Sequence, residues 1–172
     1  NYLLKSEAEL ESKPYIKVKG SVPDVAFDNT GWYSFNPNLR VIEQLGGTFV
    51  KKNAISLPSR SENSSFTVNC LEIKKAGIAL LSASLYVKEG GGSKAGIYLY
   101  CRKYNTTNEG YIEDDEIASS YCGGITSGTV NTGVTLVNLE VGDKIYVRGR
   151  AESSSSAKCS PSHPSSGLNI VY

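Results

Sequence analysis

The sequence predicts an all-β chain folded as a two-layered sandwich, and three observations predict it. Lys75 to Val87 runs from a Lys-Ala-Gly turn into a long strand whose odd positions, Ala79, Leu81, Ala83, Leu85 and Val87, form an unbroken apolar row. Strand side chains alternate between faces, so that row marks a sheet with one side in a core. Val137 to Val147 reads as strand, tight Gly142-Asp143 turn, strand, with the two strands expected to meet at a hairpin. Beyond residue 14 no segment keeps a helical period, and apolar runs are punctuated closely by Gly, Pro, Asn and Ser. That spacing argues for a β-sandwich or jelly roll.

Taken in order, Ser6 and Glu9 form a capping-box pattern with Ala8 and Leu10 between and beyond them. One or two helical turns are therefore expected over Ser6 to Lys13, as a neck that Pro14 ends. Tyr15 to Lys19, Val25 to Phe27 and Trp32 to Phe35 are short extended pieces separated by turn residues. After Gly46-Gly47 the expected strands are Thr48 to Lys51, Ala54 to Leu57, Ser65 to Ile73, Gly77 to Val87, Gly96 to Tyr104, Glu116 to Tyr121, Thr129 to Leu139, Lys144 to Arg150 and Leu168 to Val171. Glu89 to Ser93 reads as a flexible turn, and Ser153 to Ser166 as a low-complexity loop. Two parts follow: residues 1-45 as a partly β neck or extension, and residues 46-172 as the head domain.

Composition limits the function. A chain of 172 residues is long enough for one real core, and its formal charge of +1 offers no clustered basic face for nucleic acid or a membrane surface. No run approaches the roughly 20 apolar residues that span a bilayer, so membrane insertion is not expected. Asn1 to Lys5 is not a signal peptide, and the absence of any Met suggests a piece of something longer. Cys70, Cys101, Cys122 and Cys159 show no Cys-x-x-Cys pair, which argues against zinc. Two disulfides and four free thiols both remain open, and Cys101 shares the apolar face of its strand with Ile97 and Leu99. Asn63 and Asn105 begin glycosylation sequons, a short pattern that arises often by chance.

Together the Ala76-Gly77 turn with its long strand, the Gly142-Asp143 turn with its flanking strands, and the closing strand Leu168 to Tyr172 resemble the globular head shared by the complement q subcomponent and the tumour necrosis factor superfamily. The resemblance covers roughly residues 46 to 172 and implies a jelly-roll β-sandwich. It implies that the strand after Ala76-Gly77, the strand before Gly142-Asp143 and the last strand share an inner sheet. The strands matching Gly96 to Tyr104 and Lys144 to Arg150 then lie in the outer sheet. It further implies a homotrimer built through the inner sheet. The outward face of the long strand, Ile78, Leu80, Ser82, Ser84 and Tyr86, is more apolar than a solvated face needs to be. Such a patch usually marks an interface; the alternative is an N-terminal segment that covers it within one subunit.

The outer strands place Tyr98, Tyr100 and Arg102 in one outward row and Tyr146, Arg148 and Arg150 in another. Aromatic rings stack on sugar faces and Arg donates to hydroxyls or acids, so this is the candidate carbohydrate site. Ordinary cross-strand pairing of exposed tyrosines explains the same residues. Trp32 is read either as a core plug or as a sugar platform. Glu113 to Glu116 is a dense acidic run that lacks the spacing of a calcium loop and reads as a solvated turn. The only His, His163, sits in the Ser/Pro-rich loop with no nucleophile elbow, and no phosphate-binding glycine loop opens a helix.

These readings combine into a non-enzymatic, extracellular receptor-binding head without metal or cofactor. The context expected is a phage tail fibre or baseplate on the virion surface, binding host cell-surface saccharide with the avidity of three copies. The alternative is a protein-binding, cytokine-like or complement-like ligand, or a structural trimerising cap. A glycan depolymerase would need a carboxylate pair across a groove.

Overall fold

A computed structural model of the chain describes residues 13–21, 24–26, 32–34, 39–45, 49–58, 65–105, 110–152 and 158–172. The strands in chain order are β1 (Tyr15–Gly20), β2 (Val25–Ala26), β3 (Trp32–Ser34), β4 (Leu39–Leu45), β5 (Phe49–Pro58), β6 (Ser65–Ile73), β7 (Gly77–Asn105), β8 (Gly110–Leu139), β9 (Lys144–Glu152), β10 (Lys158–Ser160) and β11 (Gly167–Val171). Every pairing is antiparallel, and the fold is a jelly-roll β-sandwich.

β7 and β8, at 29 and 30 residues, are far longer than an ordinary strand because each serves both layers. They pair along most of their length, and the register shifts between Lys88 and Ala95, where the ladder passes from one layer to the other. The first half of β7 lies in the inner layer, between β11 and the second half of β8, with β1 and β4 continuing beyond β11. The second half of β7 lies in the outer layer between the first half of β8 and β9, followed by β6 and β5. β10 joins Tyr86 to Lys88 of β7 with β2, and β3 pairs with the far part of β9.

The core fills the space between the layers. From the inner layer it takes Ile16, Val18, Leu81, Leu85, Leu168 and Ile170; from the outer, Leu71, Ile73, Ile97, Leu99, Ile145 and Val147, all buried. Each contributes on the order of 1.5–3 kcal/mol of burial free energy. The apolar odd positions expected for β7 are all buried, and the predicted division of strands between inner and outer sheets holds.

Two expectations change. Residues 15–20 and 39–45, assigned to a neck or extension, supply β1 and β4 of the inner sheet, because Ile16 and Val18 complete the core beside Leu168 and Ile170. The Gly142-Asp143 turn is no hairpin: β9 pairs with β7, β6 and β3, so the turn carries the chain from the inner layer to the outer. Gly142 takes a φ of 93°, and its N–H donates to the Ile73 carbonyl at 2.8 Å, which docks the turn on the end of β6. The helical turns expected before Lys13 and the first sequon lie outside the described residues.

Candidate functional site

The inner sheet turns one face to the core and the other outward. On the outward face Leu136, Leu80 and Val171 stand side by side on three adjacent strands, with Val171 also opposite Tyr15. Ile78 and Val134 flank that row, and the five aliphatic side chains are between 41% and 70% exposed. β1 and β4 continue the sheet edge to edge instead of crossing this face.

Of the five residues expected to form the interface, Ile78 and Leu80 are open, whereas Ser82, Ser84 and Tyr86 are half-buried. The Ser84 hydroxyl donates to the Ser165 carbonyl at 2.6 Å, Ser82 accepts a long bond from the Asn169 amide at 3.4 Å, and the Tyr86 ring stacks on His163 at 3.9 Å. Val134, Leu136 and Val171 were not singled out by the sequence. For Val134 the alternation is interrupted by a bulge in β8: β7 advances two residues, from Ser82 to Ser84, while β8 covers three, from Val134 to Asn131. Gly133, at φ 71°, makes the bulge, and the Thr132 hydroxyl accepts the Ala83 N–H at 3.0 Å. Val130 and Val134 share parity, yet the bulge turns Val130 into the core and Val134 out to 70% exposure.

The outer sheet is organised differently. Tyr98, Tyr100 and Tyr146 form a ladder of stacked rings with centroids 6.4 and 5.2 Å apart. Tyr100 lies opposite Tyr146 and Tyr98 opposite Arg148. Tyr146 lies on the face away from the core, as expected, but is only 2% exposed. Its hydroxyl donates to Asp114 Oδ2 at 2.6 Å, and Arg102 grips the same carboxylate through Nε and Nη2, the latter at 2.8 Å. Burial works to raise the Asp114 pKa, but the bonds from Arg102 and Tyr146 outweigh it and hold it below the usual carboxylate range. Burial and then the Asp114 bond push the Tyr146 hydroxyl upward. Tyr100, which donates to Glu116 at 3.4 Å, is pushed up to about 12 by burial and the Glu116 charge.

The six candidate carbohydrate-binding residues therefore divide. Arg102 and Tyr146 are committed to Asp114, while Tyr98, Tyr100, Arg148 and Arg150 remain partly accessible on the sheet. Asp114, expected in a solvated acidic turn, is their internal partner, because β8 pairs Asp114 directly opposite Arg102. Beside Asp115 and Glu116, which are exposed, this cluster offers no cage. Among the described residues no group of three or more His, Cys, Asp and Glu side chains is placed to hold a metal ion. The Trp32 side chain lies outside the described residues.

A third polar cluster fixes the crossing turn. Asp143 is fully buried, and its carboxylate accepts from Lys103 Nζ at 2.8 Å, from the Tyr104 N–H at 3.1 Å and from the Glu140 N–H at 2.9 Å. All four cysteines are free, with Cys70, Cys101 and Cys159 buried and Cys122 exposed. Burial raises the Cys101 thiol to about 12, which leaves it inert at neutral pH.

No protein-family model and no curated protein matches the sequence. Solved structures do. Murine APRIL at pH 5.0 superposes with a TM-score of 0.62 at 12% identity, covering 92% of this chain and 98% of that one. Murine APRIL at pH 8.0 gives 0.61 at 13% identity with the same coverage. Eiger TNF from S. frugiperda gives 0.57 at 10% identity, covering 93% and 92%. The fold is a tumour necrosis factor-like jelly roll. At these identities the likeness is one of architecture, and it runs through the N-terminal strands as well as the part that carried the sequence resemblance. Among the described residues no helix is long and apolar enough to cross a membrane.

Proposed function

We propose that this chain is a non-enzymatic, extracellular, protein-binding ligand head of tumour necrosis factor-like type that assembles as a homotrimer through its inner sheet. The observation that carries the reading is the contiguous row Leu136, Leu80 and Val171, with Ile78 and Val134 beside it, held open on a flat sheet face. An exposed aliphatic patch of that extent on a rigid sheet is stabilised by association with equivalent surfaces. The likeness to murine APRIL and to Eiger TNF supports a ligand role for the assembled head. It favours a protein partner over saccharide adhesion at a phage tail, and the internal use of Arg102 and Tyr146 removes two of the side chains on which the saccharide reading rested.

The test is to present the purified chain to an array of extracellular receptor domains and, in parallel, to a glycan array. Saturable binding to a protein domain that free sugars leave unchanged is the expected result. Binding confined to glycans, and displaced by the free sugar, overturns the reading and restores the adhesion head.

A further inference from the structure

The connection between β10 and β11 does more than turn back along the sheet. Ser160 of β10 lies opposite Tyr86 and Gly167 of β11 opposite Ser84, so Pro161 to Ser166 leave and rejoin the same flank of β7. Between those points the segment folds over the outward face of the inner sheet. The His163 ring stacks on Tyr86 with centroids 3.9 Å apart, and the Ser84 hydroxyl donates to the Ser165 carbonyl at 2.6 Å. The Ser165 hydroxyl lies 2.7 Å from Thr129 Oγ1 on β8, the strand that pairs with the other flank of β7. The segment is a strap across one end of the face whose other end carries the open aliphatic row.

The two ends of the strap are fixed by bonds that involve no titratable group. Gly20 N–H donates to the Pro161 carbonyl at 3.1 Å, an approach that a Cβ on Gly20 would block by colliding with Pro161. Buried Ser166 donates its hydroxyl to the Ser160 carbonyl at 2.7 Å and accepts the Tyr86 N–H at 2.8 Å. The middle depends on one imidazole. His163 Nδ1 accepts the Ser165 N–H at 3.1 Å and lies 2.7 Å from the Ser165 hydroxyl, which is the residue-to-second-neighbour bond of an Asx-turn made with a ring nitrogen. A nitrogen that accepts an N–H carries no hydrogen of its own, so in this arrangement the ring is neutral with its hydrogen on Nε2.

We propose that His163 is an acid-sensitive latch, whose protonation at Nδ1 loosens the strap at Ser165 and opens its cover over Ser84 and Thr129. A proton on Nδ1 faces the Ser165 N–H, and two donors make no bond. The Ser165 hydroxyl can accept from the new N–H by turning its own hydrogen to Thr129, but the backbone N–H then loses its acceptor and the contact opens. The stack on Tyr86 survives, since an aromatic face accepts a cation, so the change is confined to Ser165 and what it covers. Among the described residues, Tyr86 is the titratable group in contact with the ring. Lys88, two residues further along β7 and so on the same side, is paired with Asp24, and Lys158 of β10 lies opposite Lys88. β8 meets the strap with the uncharged Thr129, and Lys17 and Lys19 of β1 stand across a cleft from Pro164 and Ser165. His163 is the only histidine of the sequence, and imidazole is the side chain whose charge ordinarily changes between about pH 5 and 8. The latch is complete in one copy of the chain and goes beyond the assembly reading.

The test is heteronuclear NMR of the full chain at about pH 7.5 and about pH 5, on either side of the imidazole transition. At the higher pH the ring nitrogens should report a hydrogen on Nε2 and a bare Nδ1. Exchange protection of the Ser165 amide, taken against its intrinsic rate at each pH, should fall at least about tenfold at the lower pH, while the amides of Leu81, Leu168 and Ile170 in the core keep theirs. His163→Asn offers a carboxamide oxygen in place of Nδ1 and should hold the Ser165 N–H at both pH values. His163→Phe keeps a ring on Tyr86 without the acceptor and should leave that amide unprotected at both. A hydrogen on Nδ1 at the higher pH, unchanged Ser165 protection at the lower, or a pH-dependent loss that persists in His163→Asn overturns the latch.

Discussion

The two layers of the sandwich present outward faces of opposite character. On the inner layer, Ile78, Leu80, Val134, Leu136 and Val171 lie open with no side chain of the described residues folded across them. On the outer layer, the residue types that look most like a binding surface, Tyr and Arg, are partly consumed by one carboxylate: Asp114 holds Arg102 and Tyr146 together and leaves Tyr146 buried. Residue type alone does not show how the side chains of the two faces are engaged. A tyrosine whose hydroxyl is satisfied and whose ring is stacked stabilises its own sheet, whereas a leucine that could have been buried and is not carries surface free energy that a partner can remove.

The largest expected effect comes from charging the open face. Leu80→Lys or Leu136→Lys should convert the proposed trimer to monomer by light scattering, with the circular dichroism spectrum unchanged because neither side chain is in the core. Retention of the trimer by both variants would mean that the open face is not the joint. Next is Asp114→Asn, which leaves Arg102 and the Tyr146 hydroxyl without a carboxylate. It should lower unfolding free energy in urea by roughly 2–3 kcal/mol and leave the mass unchanged, which separates a face that holds the fold from a face that holds the assembly.

The outer face should also answer to pH. Folding lowers the Asp114 pKa, so its stabilisation is present above the ordinary carboxylate range and is lost as pH falls through the lower folded value. Tyr100 behaves in the opposite sense: its folded value of about 12 exceeds its ordinary 10, so its contribution is complete below pH 10 and declines between those values. The urea midpoint followed against pH should fall at both extremes, and Tyr100→Phe should flatten the alkaline limb. The smallest effect is expected from Tyr98→Ala, which removes one partly exposed ring from the end of the ladder. A loss within about 1 kcal/mol is predicted, and a larger one would mean that the outer face is more fully packed than its exposure indicates.

Much of this was legible in the sequence because period-2 alternation is a direct print of burial. The odd positions of 79–87, the trio Ile97, Leu99 and Cys101, and the pair Ile145 and Val147 all face the core as their spacing requires. What escaped depends on pairing between distant residues. Val134 is turned outward by a bulge at Gly133 that alternation does not reveal, and Asp114 meets Arg102 only because β8 returns beside β7 in that register. The Gly142-Asp143 turn was visible as a turn, but its direction is set by Ile73 and by the buried Asp143 carboxylate reaching Lys103 and Tyr104. Pro161 to Ser166, the described part of a serine and proline run that looked formless by composition, is ordered by contacts with Gly20, Ser84 and Tyr86 far away in the chain.

The open aliphatic face of the inner sheet is the proposed meeting place of copies of this chain. Multi-angle light scattering of the unmodified chain, over a hundredfold range of concentration, tests it most directly. A constant mass three times that of the chain is expected; a constant mass equal to one chain would mean that the open face joins no copies.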